Sequence, residues 1–253
     1  MKVTLLSKTE SRIKLLIEDV DVGFVNALRR VLVSEIPVYA VDHIIVYENT
    51  SQLYDEILAH RLGLVPLSTP ANVDKEVTLS IEKEGPGVVY TKDMISDDDS
   101  IKPIIPDIPI TKLGNDQKIK INCIAKVGIA KDHAKYQCCL AFYKYFPVIN
   151  IDKKCDLCGV CVEVCPKSIL KIEKDSLKIT DIKECTLCRT CEEQCDLQAI
   201  SVSYDNRKFI FTVENYGNMS VRDLIEISTG IIEGKCDEFI DKIAGVAEPG
   251  QRR

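Results

Sequence analysis

The sequence lacks the features that would place it on a nucleic acid, in a membrane or around a catalytic centre. Thirty-three Lys and Arg residues stand against thirty-nine Asp and Glu, a formal charge of −6. No Lys/Arg cluster rises above its acidic neighbours, so the basic footprint of direct nucleic-acid binding is missing. Any work near DNA or RNA would run through partners. No stretch approaches the roughly eighteen apolar residues of a membrane span. The opening MKVTLLSKTESRIKLLIED has neither the apolar core nor the small-residue cleavage site of a secretory leader. A soluble, cytoplasmic chain is therefore expected. Histidine is scarce: His43, His60 and His133 are scattered and belong to no Ser/His/Asp or Cys/His arrangement. With no G-x-G-x-x-G and no P-loop, no nucleotide, nicotinamide or flavin site is expected. No residue is assigned a catalytic role.

What is present is ordinary in bulk and unusual in one place. Hydrophobic residues make up 45% and charged residues 28% of 253, enough for one large domain or two to three smaller ones. Ile13, Leu15 and Ile17 alternate with charged residues as a strand with one buried face. Asp21 is placed to cap a helix carrying Phe24, Ala27, Leu28, Val31 and Leu32 at helical spacing, ended by Pro37. A strand follows with Val41, His43, Ile45 and Tyr47 on one side. From Gln52, a short helix is expected to pack through Tyr54, Ile57, Leu58 and Leu62. Strand alternation returns at Val77, Leu79 and Ile81, and at Ile119, Ile121, Cys123, Ala125 and Val127. The acidic run at 97–99 reads as a solvated loop, and Pro103, Pro106 and Pro109 stiffen a connector. Near the end, Phe209, Phe211 and Val213 form one more strand. The last helix carries an apolar stripe from Val221 through Leu224, Ile231, Ile232, Cys236, Phe239 and Ile240 to Ile243, about six turns long. Such a stripe needs cover, and a second chain is its natural supplier.

Eight of the twelve cysteines form two arrays. Cys155, Cys158, Cys161 and Cys165 follow C-x2-C-x2-C-x3-C, and Cys185, Cys188, Cys191 and Cys195 repeat it. Three thiolates within seven residues wrap one side of an iron–sulfur cubane, and the fourth reaches the other cluster in two-cluster ferredoxins. The spacing thus predicts one cluster on Cys155, Cys158, Cys161 and Cys195, and another on Cys185, Cys188, Cys191 and Cys165. Zinc would need only paired C-x-x-C, leaving the third close cysteine superfluous. Two [4Fe–4S] clusters are expected, one of which can lose an iron to become [3Fe–4S]. Between the arrays, LKIEKDSLKI reads as a hairpin turning at Lys174-Asp175-Ser176, and Ile169 and Ile200 are expected at similar places covering the clusters. Asp196 stands where the first array has Pro166. A unit of roughly fifty residues is marginal on apolar burial alone, so metal should supply much of its folding free energy. Cys123, Cys138, Cys139 and Cys236 read as buried core thiols.

FVNALRRVLVSEIPVYAVD at 24–42 and LYDEILAHRLGLVPL at 53–67 resemble the α-type assembly subunit of DNA-directed RNA polymerase, in particular its archaeal branch, some members of which carry a ferredoxin-like insert. GNDQKIKINCIAKVGIAKDHAKYQ at 114–137 is similar to that family's middle domain, and the terminal helix to its dimerisation helix. The resemblance implies an α+β fold: a discontinuous dimerisation domain (1–47 plus 204–253), an inserted mostly-β domain (48–150) and a two-cluster ferredoxin-like domain (151–203). It implies a subunit without catalytic residues of its own in a nucleotidyltransferase. Such a subunit would pair with a small α-like subunit, called subunit L in archaea, and nucleate assembly of the large catalytic subunits. Arg29 and Arg30 would then face the second-largest subunit. The clusters would stabilise the insert and offer a means of tuning assembly. The alternative is a ferredoxin-like electron carrier or the electron-entry subunit of a redox enzyme; about four-fifths of the chain, outside the arrays, shows no second cofactor site.

Overall fold

The computed structural model describes residues 1–70 and 75–244; the end of the expected C-terminal segment, 245–253, lies outside the described residues. Its elements run β1 (Lys2–Lys8), β2 (Arg12–Glu18), α1 (Val22–Ser34), β3 (Val38–Asn49), α2 (Asp55–Gly63), β4 (Val77–Glu84), β5 (Gly87–Tyr90) and β6 (Ile95–Ser96). Next come β7 (Pro109–Leu113), β8 (Lys118–Gly128), β9 (Cys139–Ile151), α3 (Val160–Glu163), β10 (Leu170–Glu173) and β11 (Ser176–Ile179). The chain closes with α4 (Thr190–Glu193), β12 (Ile200–Asn215) and α5 (Val221–Ala244). Strands dominate and helices are few, an α+β fold. The described residues form two compact units: Met1–Lys8, Lys14–Val25 and Phe142–Thr212 make the first, and Thr9–Ile13 with the described parts of 26–141 and 213–244 make the second.

Asp21 starts α1 as expected. Its Oδ1 accepts from the Gly23 N–H at 2.7 Å, satisfying a donor that the first helical turn leaves without a partner. Val25, Leu28, Val31 and Leu32 are buried, whereas Phe24 sits at the surface with 36% of its area exposed. Replacing Asp21 with Ala should cost about 1 kcal/mol, seen as a lower denaturation midpoint with unchanged slope.

The second unit is built on an antiparallel sheet ordered β3-β8-β4-β6. One face packs Leu79, Ile81, Ile119, Ile121, Cys123 and Ala125 against Leu58 and Leu62 of α2, following the strand alternation of the sequence. The single face assigned to β3 does not hold. A bulge shifts its register on β8 between Val41 and His43, and one extra residue reverses the facing from there to a second shift between Val46 and Glu48. Val41 is buried and Ile44 and Val46 pack on the core, while Ile45 and Tyr47 are exposed.

In α2, Leu58 and Leu62 are fully buried, but Ile57 and Tyr54 are exposed. Ile57 lies about 100° around the helix from Leu58, and Tyr54 is the extended N-cap outside the helix. The acidic loop is more than a solvated run. Asp98 pairs with Lys75 at 2.8 Å and accepts from the Ser100 N–H and hydroxyl at 2.9 and 2.6 Å. Lys75 first, then Ser100, holds its carboxyl below the usual range.

In the first unit, strands pair in the order β1-β2-β12-β9, and β10 and β11 form a separate hairpin. Leu170 faces Ile179 and Glu173 faces Ser176, so the turn falls at Lys174 and Asp175, where the sequence places it. The edge strand β1 has no counterpart among the expected elements; Val3 and Leu5 are both more than half exposed on it, so it presents no buried face to read.

Candidate metal centres and an open helical seam

Both cysteine arrays fold into the same backbone path. Left-handed residues recur at an offset of 30: Leu157 and Leu187 (φ 61° and 59°), Gly159 and Arg189 (86° and 60°), Ser168 and Gln198 (both 49°). Bulky residues avoid this region at a cost of roughly 1–2 kcal/mol each, so its recurrence at two leucines marks a constrained backbone path shared by the two arrays. Each first loop turns into a short helix, α3 or α4. Each fourth cysteine is followed by a turn in which the Ser168 or Gln198 N–H donates to the Cys165 or Cys195 carbonyl, at 3.0 and 2.8 Å. Asp196 therefore forms the turn that Pro166 forms.

The loops gather the thiols into two cavities. One is lined by Cys155, Cys158, Cys161 and Cys195 and closed by Ile172, Leu177 and Ile200. The other is lined by Cys165, Cys185, Cys188 and Cys191, with Ile149, Ile169, Leu170 and Val202. This crossed grouping is the one the spacing predicts. The apolar covers pair differently from the expectation: Ile169 corresponds to Ala199 and Leu170 to Ile200 when counted from each fourth cysteine, and all four are buried. Ile169 and Ile200 are thus one position out of step.

Donors point at the sulfurs. The Leu187 N–H reaches Cys185 Sγ at 3.4 Å, the Ala199 N–H reaches Cys195 Sγ at 3.2 Å, and the Thr190 hydroxyl reaches Cys188 Sγ at 3.5 Å. The Thr190 contacts draw the Cys188 thiol down. Burial first, then the neighbouring thiols Cys185 and Cys188, pushes Cys191 up to about 11, and burial likewise raises Cys161. Metal coordination must supply the free energy to deprotonate such thiols. Among the described residues, no three His, Cys, Asp or Glu side chains converge tightly enough to chelate one ion. The cavities surround a space rather than a point, and thiols with N–H donors around a space fit an iron–sulfur cluster.

The remaining cysteines divide. Cys123, Cys138 and Cys139 are buried; burial pushes Cys123 up to about 12, and Cys139 Sγ lies 3.2 Å from the Leu32 carbonyl. Cys236 is exposed, contrary to its reading as a core thiol. It sits on the half of α5 that leaves the core.

Within the second unit, α5 buries only its first turns, through Leu224 and Ser228. Farther along, Phe239, Ile240 and Ile243 are 66%, 62% and 55% exposed. Ala27, Arg30 and Val31 of α1 and Ile232, Cys236, Phe239 and Ile240 of α5 line an open groove, and Lys235 of α5 pairs with Glu35, the residue just after α1. Arg30 stands on this groove. Arg29 is half-buried, its guanidinium held by Asn26 Oδ1 at 3.1 and 3.2 Å. No helix among the described residues is long and apolar enough to cross a membrane.

Residues 43–148 match the family described as RNA polymerase Rpb3/RpoA insert domain, and residues 149–171 match that described as 4Fe-4S binding domain; the second array lies beyond the latter match. Fold and matches together define an α-type polymerase subunit with an inserted iron–sulfur-binding segment. The chain is 38% identical over 258 residues to the DNA-directed RNA polymerase subunit Rpo3 of Pyrococcus horikoshii, covering 98% of this chain and 99% of that one. It is 37% identical over 258 residues to that of Methanothermobacter thermautotrophicus (95% and 98% covered) and 38% over 260 residues to that of Methanosarcina acetivorans (95% and 97%). The chain belongs to the archaeal DNA-directed RNA polymerase subunit Rpo3 family.

Proposed function

We propose that the chain is a non-catalytic assembly platform of DNA-directed RNA polymerase in the cytoplasm. Its partners are other polymerase subunits. The first is a small α-like subunit, subunit L, which pairs along the seam of α1 and α5; the large catalytic subunits then assemble on the heterodimer. Functionally, 1–47 and 204–253 serve dimerisation, and 48–150 and 151–203 are inserts. Arg29 and Arg30 contribute contacts to the second-largest subunit. The observation that carries this reading is the row of exposed apolar residues on α5 beside the α1 groove. A row of this kind on one helix face is the ordinary form of a partner site. Co-expression with the small subunit should give a 1:1 heterodimer by size exclusion with light scattering. A monodisperse monomer with no affinity for that subunit overturns the proposal.

The eight array cysteines hold two clusters in the crossed grouping, and the clusters stabilise the insert. Supporting this are the two thiol-lined cavities and the donors aimed at their sulfurs. Anaerobically purified protein should contain roughly eight irons and eight sulfides per chain, fewer where one cluster is [3Fe–4S], with the matching paramagnetic resonance signals. Zinc at two equivalents without sulfide would refute it.

A further inference from the structure

The backbones of the two arrays are near copies, yet the charges around the cavities are opposite. Asp156 lines the first cavity, with no cation among its lining residues. Lys167 and Arg189 line the second. At the repeat offset, Asp156 corresponds to Thr186 and Arg189 to Gly159, so the difference is written into equivalent positions. Lys144 adds to it from β9. Its Nζ donates to the Lys183 carbonyl at 2.6 Å and to the carbonyl of Cys185 itself at 2.7 Å. Glu184, between those two carbonyls, pairs with Lys14 at 2.8 Å and also feels Lys144 and Lys167, so one acid stands against three lysines and the balance around this cavity stays positive. Lys153 and Lys154, just ahead of Cys155, line neither cavity.

We propose that the two sites are electrostatically unequal, and that the site of Cys165, Cys185, Cys188 and Cys191 accepts an electron first. The step is a one-electron transfer from a low-potential reductant, which is oxidised by one electron; the cluster passes from the 2+ to the 1+ core, and no proton moves. Lys144, Lys167 and Arg189 favour the added negative charge, and Asp156 opposes it at the first site. Greater burial at the second site, where Cys185 and Cys191 are 8% and 9% exposed, acts the other way. Exposure differs little overall, because Cys158 and Cys188 are both open to solvent. At the effective dielectric of a protein surface, a unit charge about 12 Å away is worth about tenfold in a one-electron equilibrium, and more when closer, so the charge difference decides. The inference rests on reading both sites as [4Fe–4S] centres.

The test is a dithionite titration of the full chain with its small partner, followed by paramagnetic resonance. Two reduction steps are expected. Arg189→Gly, which copies the first array and suits a left-handed backbone, should lower the reduced-to-oxidised ratio of the upper step about tenfold at fixed potential, roughly 59 mV. Lys144→Met should act in the same direction, and Lys144→Gln, which keeps a donor for the two carbonyls without the charge, should shift the step as Met does, which a merely structural tether would not do. Asp156→Asn, which keeps the acceptor for the Cys158 N–H, should raise the lower step by a similar factor. A single unresolved step with full iron and sulfide overturns the inference, as do steps that move in the wrong pair or not at all. Absence of iron and sulfide refutes the cluster reading instead.

Discussion

Phe239→Asp combined with Ile240→Asp is expected to lower affinity for the small α-like subunit at least a hundredfold while leaving the chain folded. Both side chains are more than 60% exposed in the isolated chain, so folding loses little by their replacement. At a seam, each buried Phe or Ile is worth about 1.5–3 kcal/mol, so losing both removes at least about 3 kcal/mol. That is a factor of a hundred or more in Kd, before the cost of burying two carboxylates. Titration calorimetry with the purified small subunit gives the affinity, and circular dichroism with thermal melting reports folding. Unchanged affinity would place the partner elsewhere and remove α5 as the seam.

Cys158→Ser and Cys188→Ser form the second large prediction. Both thiols are exposed, and an exposed Cys to Ser change away from a functional site costs within about 0.5 kcal/mol. If these sulfurs hold iron, the outcome is far larger: the affected cluster is lost, iron falls by about half or more, and the insert opens locally because metal binding is part of its folding free energy. Amide exchange should then quicken across β10 and β11 while β3, β4 and β8 stay protected. Partner binding should persist, because the α5 seam contributes none of the array thiols. Full iron content in either variant refutes the ligand assignment. Loss of the small partner as complete as that caused by deleting α5 would instead show that insert and platform are coupled.

Much of this was legible because it is local. Asp21, the alternation of Ile119 to Ala125, the hairpin at Lys174-Asp175 and the thiol spacing each depend on neighbours within a few residues. What escaped depends on pairing. The β3 bulge is a property of its register with β8, so Ile45 and Tyr47 look inward in the sequence and face outward in the fold. Strand β1 shows its apolar side to solvent, and no burial pattern betrays it. Cys236 reads as a core thiol because it lies on the α5 stripe, but the stripe continues after its own chain ends its cover. The charge contrast between Asp156 and Arg189 was visible in the repeat, yet only the cavities give it meaning.

The crossing of the arrays also bears on how the chain is made. If the cavity of Cys155, Cys158, Cys161 and Cys195 holds one cluster, a nascent chain that has released only the first array lacks the thiol that completes the set, which arrives with Cys195 at the far end of the repeat. Cys165 meanwhile waits for companions not yet synthesised. On the crossed grouping proposed above, neither half would be a self-sufficient vessel for iron, stable loading would belong after translation of the whole module, and a chain truncated between the arrays should emerge bare.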